Sequence, residues 1–148
     1  MRQMTVLLVE DNPRDVRLIE RVFTKAAFAH ELCVAKDGDE ALAYLRATSA
    51  HAESGTTPRP DLILLDLNLP RMSGHDVLRR CKQDDRLKPI PIVVLTTSGH
   101  DEDIRQAYAE GANAYLLKPV AFDRFTEVIR QLNAFWLEVV ELPPEPVA

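Results

Sequence analysis

Cysteine is scarce. Cys33 and Cys81 are the only two, with no CxxC and no histidine at metal-ligand spacing, which leaves little support for a disulfide framework or a zinc site. Both read as small buried apolar residues. Cations are in deficit as well, 18 Lys and Arg against 23 Asp and Glu for a formal charge of -5. Binding a phosphate backbone needs clustered cations, so no nucleic-acid partner is expected. No apolar run approaches the roughly 20 residues of a membrane span. The start, Met1-Arg2-Gln3-Met4 before a short strand-like run ending at Val9, is too brief and too soon acidic for a signal peptide. A cytoplasmic protein without membrane contact is expected. His30, His51, His75 and His100 are scattered over presumed loops and element ends without the partner geometry catalysis needs, and read as surface residues.

What the chain does have is one domain's worth of regularly alternating pattern. Its 148 residues with 46% hydrophobic and 28% charged content suit a single globular core. Strand-like runs occur at Val6-Leu7-Leu8-Val9, Leu32-Cys33-Val34, Leu62-Ile63-Leu64-Leu65, Ile92-Val93-Val94-Leu95 and Ala114-Tyr115-Leu116-Leu117. Three are continuous rather than alternating, the mark of strands covered on both faces. Helical patterns separate them: 14–27, 39–46, 74–82, 101–110 and a long one from Ala121 to Val140. Five βα units with right-handed crossovers predict an α/β fold, a flavodoxin-like (βα)5 doubly wound parallel sheet in strand order 2-1-3-4-5. Thr48 to Pro60 reads as a long surface loop, residues 1–142 as the domain, and 143–148 as a Pro-rich tail with no output domain.

In that fold the carboxyl ends of the strands share one surface. Glu10 and Asp11 follow strand one, Asp66 strand three, Thr96 strand four and Lys118 strand five. Helix capping explains each polar residue singly and explains their convergence poorly. Three neighbouring carboxylates repel one another unless a cation intervenes. An all-oxygen ligand set without His or Cys points to Mg²⁺ or a similar hard ion. A carboxylate beside such an ion and a lysine can attack phosphorus, and Asp66 is the best candidate nucleophile.

These residues carry a resemblance. The acidic pair Glu10-Asp11, the segment Asp61-Leu-Ile-Leu-Leu-Asp66-Leu-Asn-Leu-Pro70, Thr96, Lys118-Pro119 and the spacings between them are similar to the receiver domain of bacterial two-component response regulators. The resemblance implies that Asp66 accepts a phosphoryl group from a sensor histidine kinase. It further implies that Asp11 binds Mg²⁺ directly, Glu10 mainly through water, and Asn68 through its backbone carbonyl. Lys118 would pair with the phosphate, and the Lys118-Pro119 bond would be cis, against the alternative of a plain strand terminator. Thr96 would move to the phosphoryl group and Tyr115 turn inward, although a lone strand tyrosine is more often simply half-buried. Such a domain is a signalling module, catalysing only its own phosphotransfer and autodephosphorylation.

The last helical pattern carries Phe122, Phe125, Val128, Ile129, Leu132, Phe135, Trp136, Val139 and Val140, more apolar surface than one sheet-facing stripe needs. Either the core contact is unusually thick or the outer end, with Phe135, Trp136 and Val139, meets a second protomer. The resemblance implies a homodimer through the helix four, strand five, helix five face. Residues 135–143, Thr96-Thr97-Ser98, the 48–60 loop and Val120 resemble the regulators serving cyanobacterial phytochromes and bacteriophytochromes, which makes such a kinase the expected partner. The alternative is a phosphate sink or relay intermediate for a non-phytochrome kinase. A haloacid-dehalogenase-type phosphatase would need an acid two residues after its nucleophile, where this chain has Asn68. A flavin-binding protein would need a phosphate cradle where Glu10-Asp11 stands.

Overall fold

A computed structural model describes residues 4–25, 30–50, 57–119 and 121–144. Strands β1 (Met4–Val9), β2 (His30–Ala35), β3 (Leu62–Leu65), β4 (Ile92–Thr96) and β5 (Ala114–Leu117) form one parallel sheet in the order β2-β1-β3-β4-β5. Helices α1 (Pro13–Thr24), α2 (Gly38–Ala50), α3 (Gly74–Gln83), α4 (Asp101–Ala109) and α5 (Phe122–Asn133) alternate with them. The expected fold class and strand order are both present.

Side-chain alternation in the strands divides the core into two layers. Val6 and Leu8 of β1 pack with Leu18, Ile19 and Phe23 of α1 and with Phe125, Ile129 and Leu132 of α5. Leu7 and Val9 pack the other way, with Leu42 and Leu45 of α2, Val77, Leu78 and Cys81 of α3 and Ala107 of α4. Each fully buried aliphatic side chain contributes about 1.5–3 kcal/mol relative to exposure, so β1, β3 and β4, buried along nearly their whole length, anchor the sheet. The outer strands are less covered. Cys33, on edge strand β2, is therefore only partly buried, whereas Cys81 is buried as expected.

Several boundaries differ from the sequence pattern. α2 continues to Ala50, so the expected 48–60 loop begins later, and its residues 51–56, with His51, lie outside the described residues, as does Val120. The long C-terminal helix is present but changes winding: after Asn133, residues Ala134–Val139 form a π-helix, closed by Val140 N–H donating to the Phe135 carbonyl at 2.9 Å. Among the described residues no peptide bond is cis. The Lys118-Pro119 bond, expected cis, is trans, the state an X-Pro bond favours by about 0.5–1 kcal/mol, and the Lys118 side chain reaches the acidic strand ends in that isomer. No helix among the described residues is long and apolar enough to cross a membrane.

Candidate metal and phosphotransfer site

Strand pairing runs to the polar ends. Asp66 N–H donates to the Val9 carbonyl and Glu10 N–H to the Ala35 carbonyl, each at 3.0 Å, so the first polar residue after each apolar run is held at one edge. α1 then starts sharply: Asn12 Oδ1 accepts from Arg14 N–H at 2.9 Å and Pro13 takes the first helical position. At α3 the Ser73 hydroxyl caps Asp76 N–H at 3.2 Å. Gly74 sits so close to the acceptor loop that an added Cβ would collide with the Asp66 carbonyl oxygen and lie 2.5 Å from Leu67 Cα. Only glycine permits that approach.

The predicted acids and the lysine do meet. Lys118, its side chain 5% exposed, donates from Nζ to Glu10, to Asp66 Oδ2 at 3.0 Å and to Asp15 Oδ2 at 3.0 Å. Glu10 and Asp66 are buried and Asp11 is exposed, yet one carboxylate oxygen from each lies within 4.8 Å of the others. Asp66 Oδ1 accepts Asn68 N–H at 3.1 Å. Thr96 is fully buried, and its hydroxyl oxygen accepts from the Asn68 side-chain amide at 3.3 Å and from Ser98 N–H at 3.5 Å. Tyr115, partly buried against the α3 and α4 side of the core, donates its hydroxyl to the Ser98 carbonyl at 2.8 Å.

The electrostatics show an excess of negative charge. Burial pushes the Glu10 carboxyl from 4.5 up to about 7 against the hydrogen bond from Lys118, with the Asp66 charge adding to the rise. Burial works against the Lys118 ammonium too, but the Glu10 hydrogen bond and the Asp66 charge outweigh it and hold the lysine above its usual range. Three clustered carboxylates offering only oxygen donors suit a hard divalent ion such as Mg²⁺, and such an ion would offset both the burial and the Asp66 charge that favour the protonated form of Glu10. The residues present therefore fit a Mg²⁺-type ion.

Two features were not anticipated. Asp15 comes from the first turn of α1 to join Lys118, and the only signal for it was an acid one helical turn beyond Asp11. His75 is not a surface residue: its side chain is 13% exposed, Nδ1 lies 2.6 Å from Glu110 Oε1, and Arg79 holds the other oxygen of Glu110 at 2.6 Å. His75 lies in the first turn of α3 and Glu110 caps the C-terminus of α4, so the pair ties two helices together, which a linear sequence does not display. At the C-terminus Phe135 and Val139 are 55% and 69% exposed, while Trp136 packs partly against the α1–α5 core layer and meets Phe135 edge to face.

A doubly wound parallel sheet whose carboxyl edge gathers carboxylates around a buried lysine, with a buried threonine alongside, puts its polar cluster where open α/β folds bind their ligands. The model of the response regulator receiver domain matches residues 6–130, and the chain belongs to that family. It is 42% identical over 132 residues to the probable methanogenesis regulatory protein FilR2 of Methanothrix harundinacea, spanning 89% of this chain and 83% of that protein. It is equally 42% identical over 138 residues to the response regulator Rcp1 of Synechocystis sp., spanning 93% of this chain and 92% of Rcp1. The crystal structure of Mn²⁺-bound Rcp1 superposes with a TM-score of 0.88 at 40% identity, covering 95% of this chain and 99% of that one. The phosphorylated cyanobacterial phytochrome response regulator RcpA superposes with a TM-score of 0.89 at 40% identity, covering 97% of this chain and 100% of that one.

Proposed function

We propose that this receiver domain takes a phosphoryl group from a sensor histidine kinase onto Asp66 in a Mg²⁺-dependent reaction and signals through contacts of its own surface. The observation that carries this reading is the buried Lys118 ammonium joining Asp66 and Glu10 beside Asp11 at the sheet edge. An oxygen of Asp66 forms the bond to phosphorus as the P–N bond of the kinase phosphohistidine breaks, and the leaving imidazole takes up a proton. Glu10, Asp11, Asp66 and the Asn68 carbonyl would hold the ion, whose chemistry is to neutralise charge developing on the phosphoryl oxygens. Lys118 meets a phosphoryl oxygen as a point charge. Thr96 gives up its bond from Asn68 to reach the phosphoryl group, and Tyr115, released from the Ser98 carbonyl, moves inward.

Similarity to Rcp1 and RcpA supports a phytochrome-type kinase as donor. Equal identity to FilR2, named as a regulator of methanogenesis, supports service of a non-phytochrome kinase, and a relay or sink role is the second reading. Residues 1–142 would constitute the receiver, in the cytoplasm where its kinase transmits. Its output face would be a homodimer contact through α4, β5 and α5, a reading supported by the exposure of Leu117, Phe135 and Val139 together with Trp136 beside them. The test is phosphotransfer from phytochrome kinases and from other histidine kinases with ATP, in light and in darkness, with Asp66→Asn as control. Light-dependent labelling of the wild type supports the phytochrome reading; labelling only by other kinases overturns it.

A further inference from the structure

The Lys118 ammonium has three N–H donors, and three carboxylates, Glu10, Asp15 and Asp66, take them. No donor is left for an arriving phosphoryl oxygen unless a partner lets go. Two partners have reason to do so. Glu10 and Asp66 belong with Asp11 to the carboxylate cluster suited to a cation, and Asp66 loses its charge at the esterified oxygen on phosphorylation. Asp15 has neither reason, since it stands outside that cluster, 3.0 Å from Nζ, on the first turn of a helix fixed by the Asn12 cap and by burial of Leu18 and Ile19.

We propose that Asp15 is a positioning residue for phosphotransfer: it anchors the Lys118 ammonium through the reaction while Glu10 and Asp66 exchange their bonds to it for bonds to the cation and the phosphoryl group. The proposal rests on the reading of Asp66 as phosphoacceptor. Lysine's flexible stem makes an anchor useful, because an ammonium held by Glu10 alone would follow that side chain away from phosphorus. A carboxylate in a first helical turn also favours the helix electrostatically, so a purely structural role for Asp15 is the competing explanation.

The two are separated by the full chain with acetyl phosphate and Mg²⁺, following initial phosphorylation rate by intact mass and Mg²⁺ affinity by calorimetry. Asp15→Ala removes the acceptor, whereas Asp15→Asn keeps an oxygen in the same place without the charge. Asp15→Ala should phosphorylate about tenfold more slowly and Asp15→Asn within about threefold of wild type, the loss expected when one charge-assisted hydrogen bond no longer orients the reacting group. Mg²⁺ affinity should change little in both, because Asp15 lies outside the cation cluster and bonds Lys118 rather than a carboxylate of that cluster. An Asp15→Ala protein as fast as wild type, or faster, overturns the proposal. So does an Asp15→Asn protein as slow as Asp15→Ala, which would assign the effect to charge rather than anchoring. A wild type that takes up no phosphoryl group overturns the phosphoacceptor reading, and the anchor role with it.

Discussion

Glu10 is 1% exposed, and burial pushes its carboxyl up to about 7, so without a cation the protonated form persists to higher pH than an ordinary carboxylate allows. Between its ordinary 4.5 and about 7 the folded protein holds a proton that the unfolded chain releases. The metal-free protein should therefore lose stability as pH rises through that window. A divalent ion reverses the preference by favouring the carboxylate. Mg²⁺ binding at pH 6 should expel a proton and affinity should rise with pH before levelling above 7, measured by calorimetry in two buffers of different ionisation enthalpy; heats independent of the buffer would contradict this. Thr96 offers a second prediction at this scale. A hydroxyl bond from Thr96 to a phosphoryl group on Asp66 would be worth about 1.5–3 kcal/mol, a substantial part of the roughly 5.5 kcal/mol needed for a complete two-state swing. Thr96→Ala should accept phosphate yet show a much smaller change in hydrogen exchange over β4, α4 and β5; a full change would remove Thr96 from the switch.

Most of these residues were legible because each directly follows an apolar strand, where the fold places its ligands. Asp15 was not, since its role depends on where α1 lies relative to β5, and helix placement is a tertiary property. Tyr115 remained ambiguous for the same reason: a strand tyrosine looks alike in sequence whether its hydroxyl meets water or, as here, the Ser98 carbonyl.

At the scale of elements, the continuous runs of β1, β3 and β4 announced burial on both faces, and that burial is present. β2 was harder to read, because an edge strand is covered by fewer neighbours and its cysteine is only half buried. The apolar pattern announces a helix through the end of α5, but the π-winding of Ala134–Val139 does not show in it. The consequence bears on assembly. Phe135 and Val139 turn outward while Trp136 keeps part of its surface in the core, so a change at Trp136 would mix interface loss with a core cavity. Phe135→Glu isolates the interface. If this segment joins two protomers, that variant should be monomeric by light scattering at micromolar concentration where the wild type is dimeric; a dimer of unchanged mass would move the contact elsewhere.

Across the described residues, two core layers press five helices against one sheet, and Glu10, Asp66, Thr96 and Lys118 lie buried at its carboxyl edge. The proposed phosphoacceptor and the proposed switch residues are joined there: Thr96 and Asn68 bond each other beside Asp66, and Ser98 joins Thr96 to Tyr115 and Asp103. Were Asp66 phosphorylated, the added charge of about -1.5 to -2 would meet that short path first. Every proposed step requires Asp66 to receive the phosphoryl group. Borohydride reduction of the chain after acetyl phosphate and Mg²⁺, followed by peptide mass spectrometry, reads this directly, because reduction converts an aspartyl phosphate to homoserine at the modified position. The predicted result is homoserine at residue 66, abolished in Asp66→Asn and by chelation of the metal. Homoserine at another aspartate in the wild type, or none at any, would contradict the account.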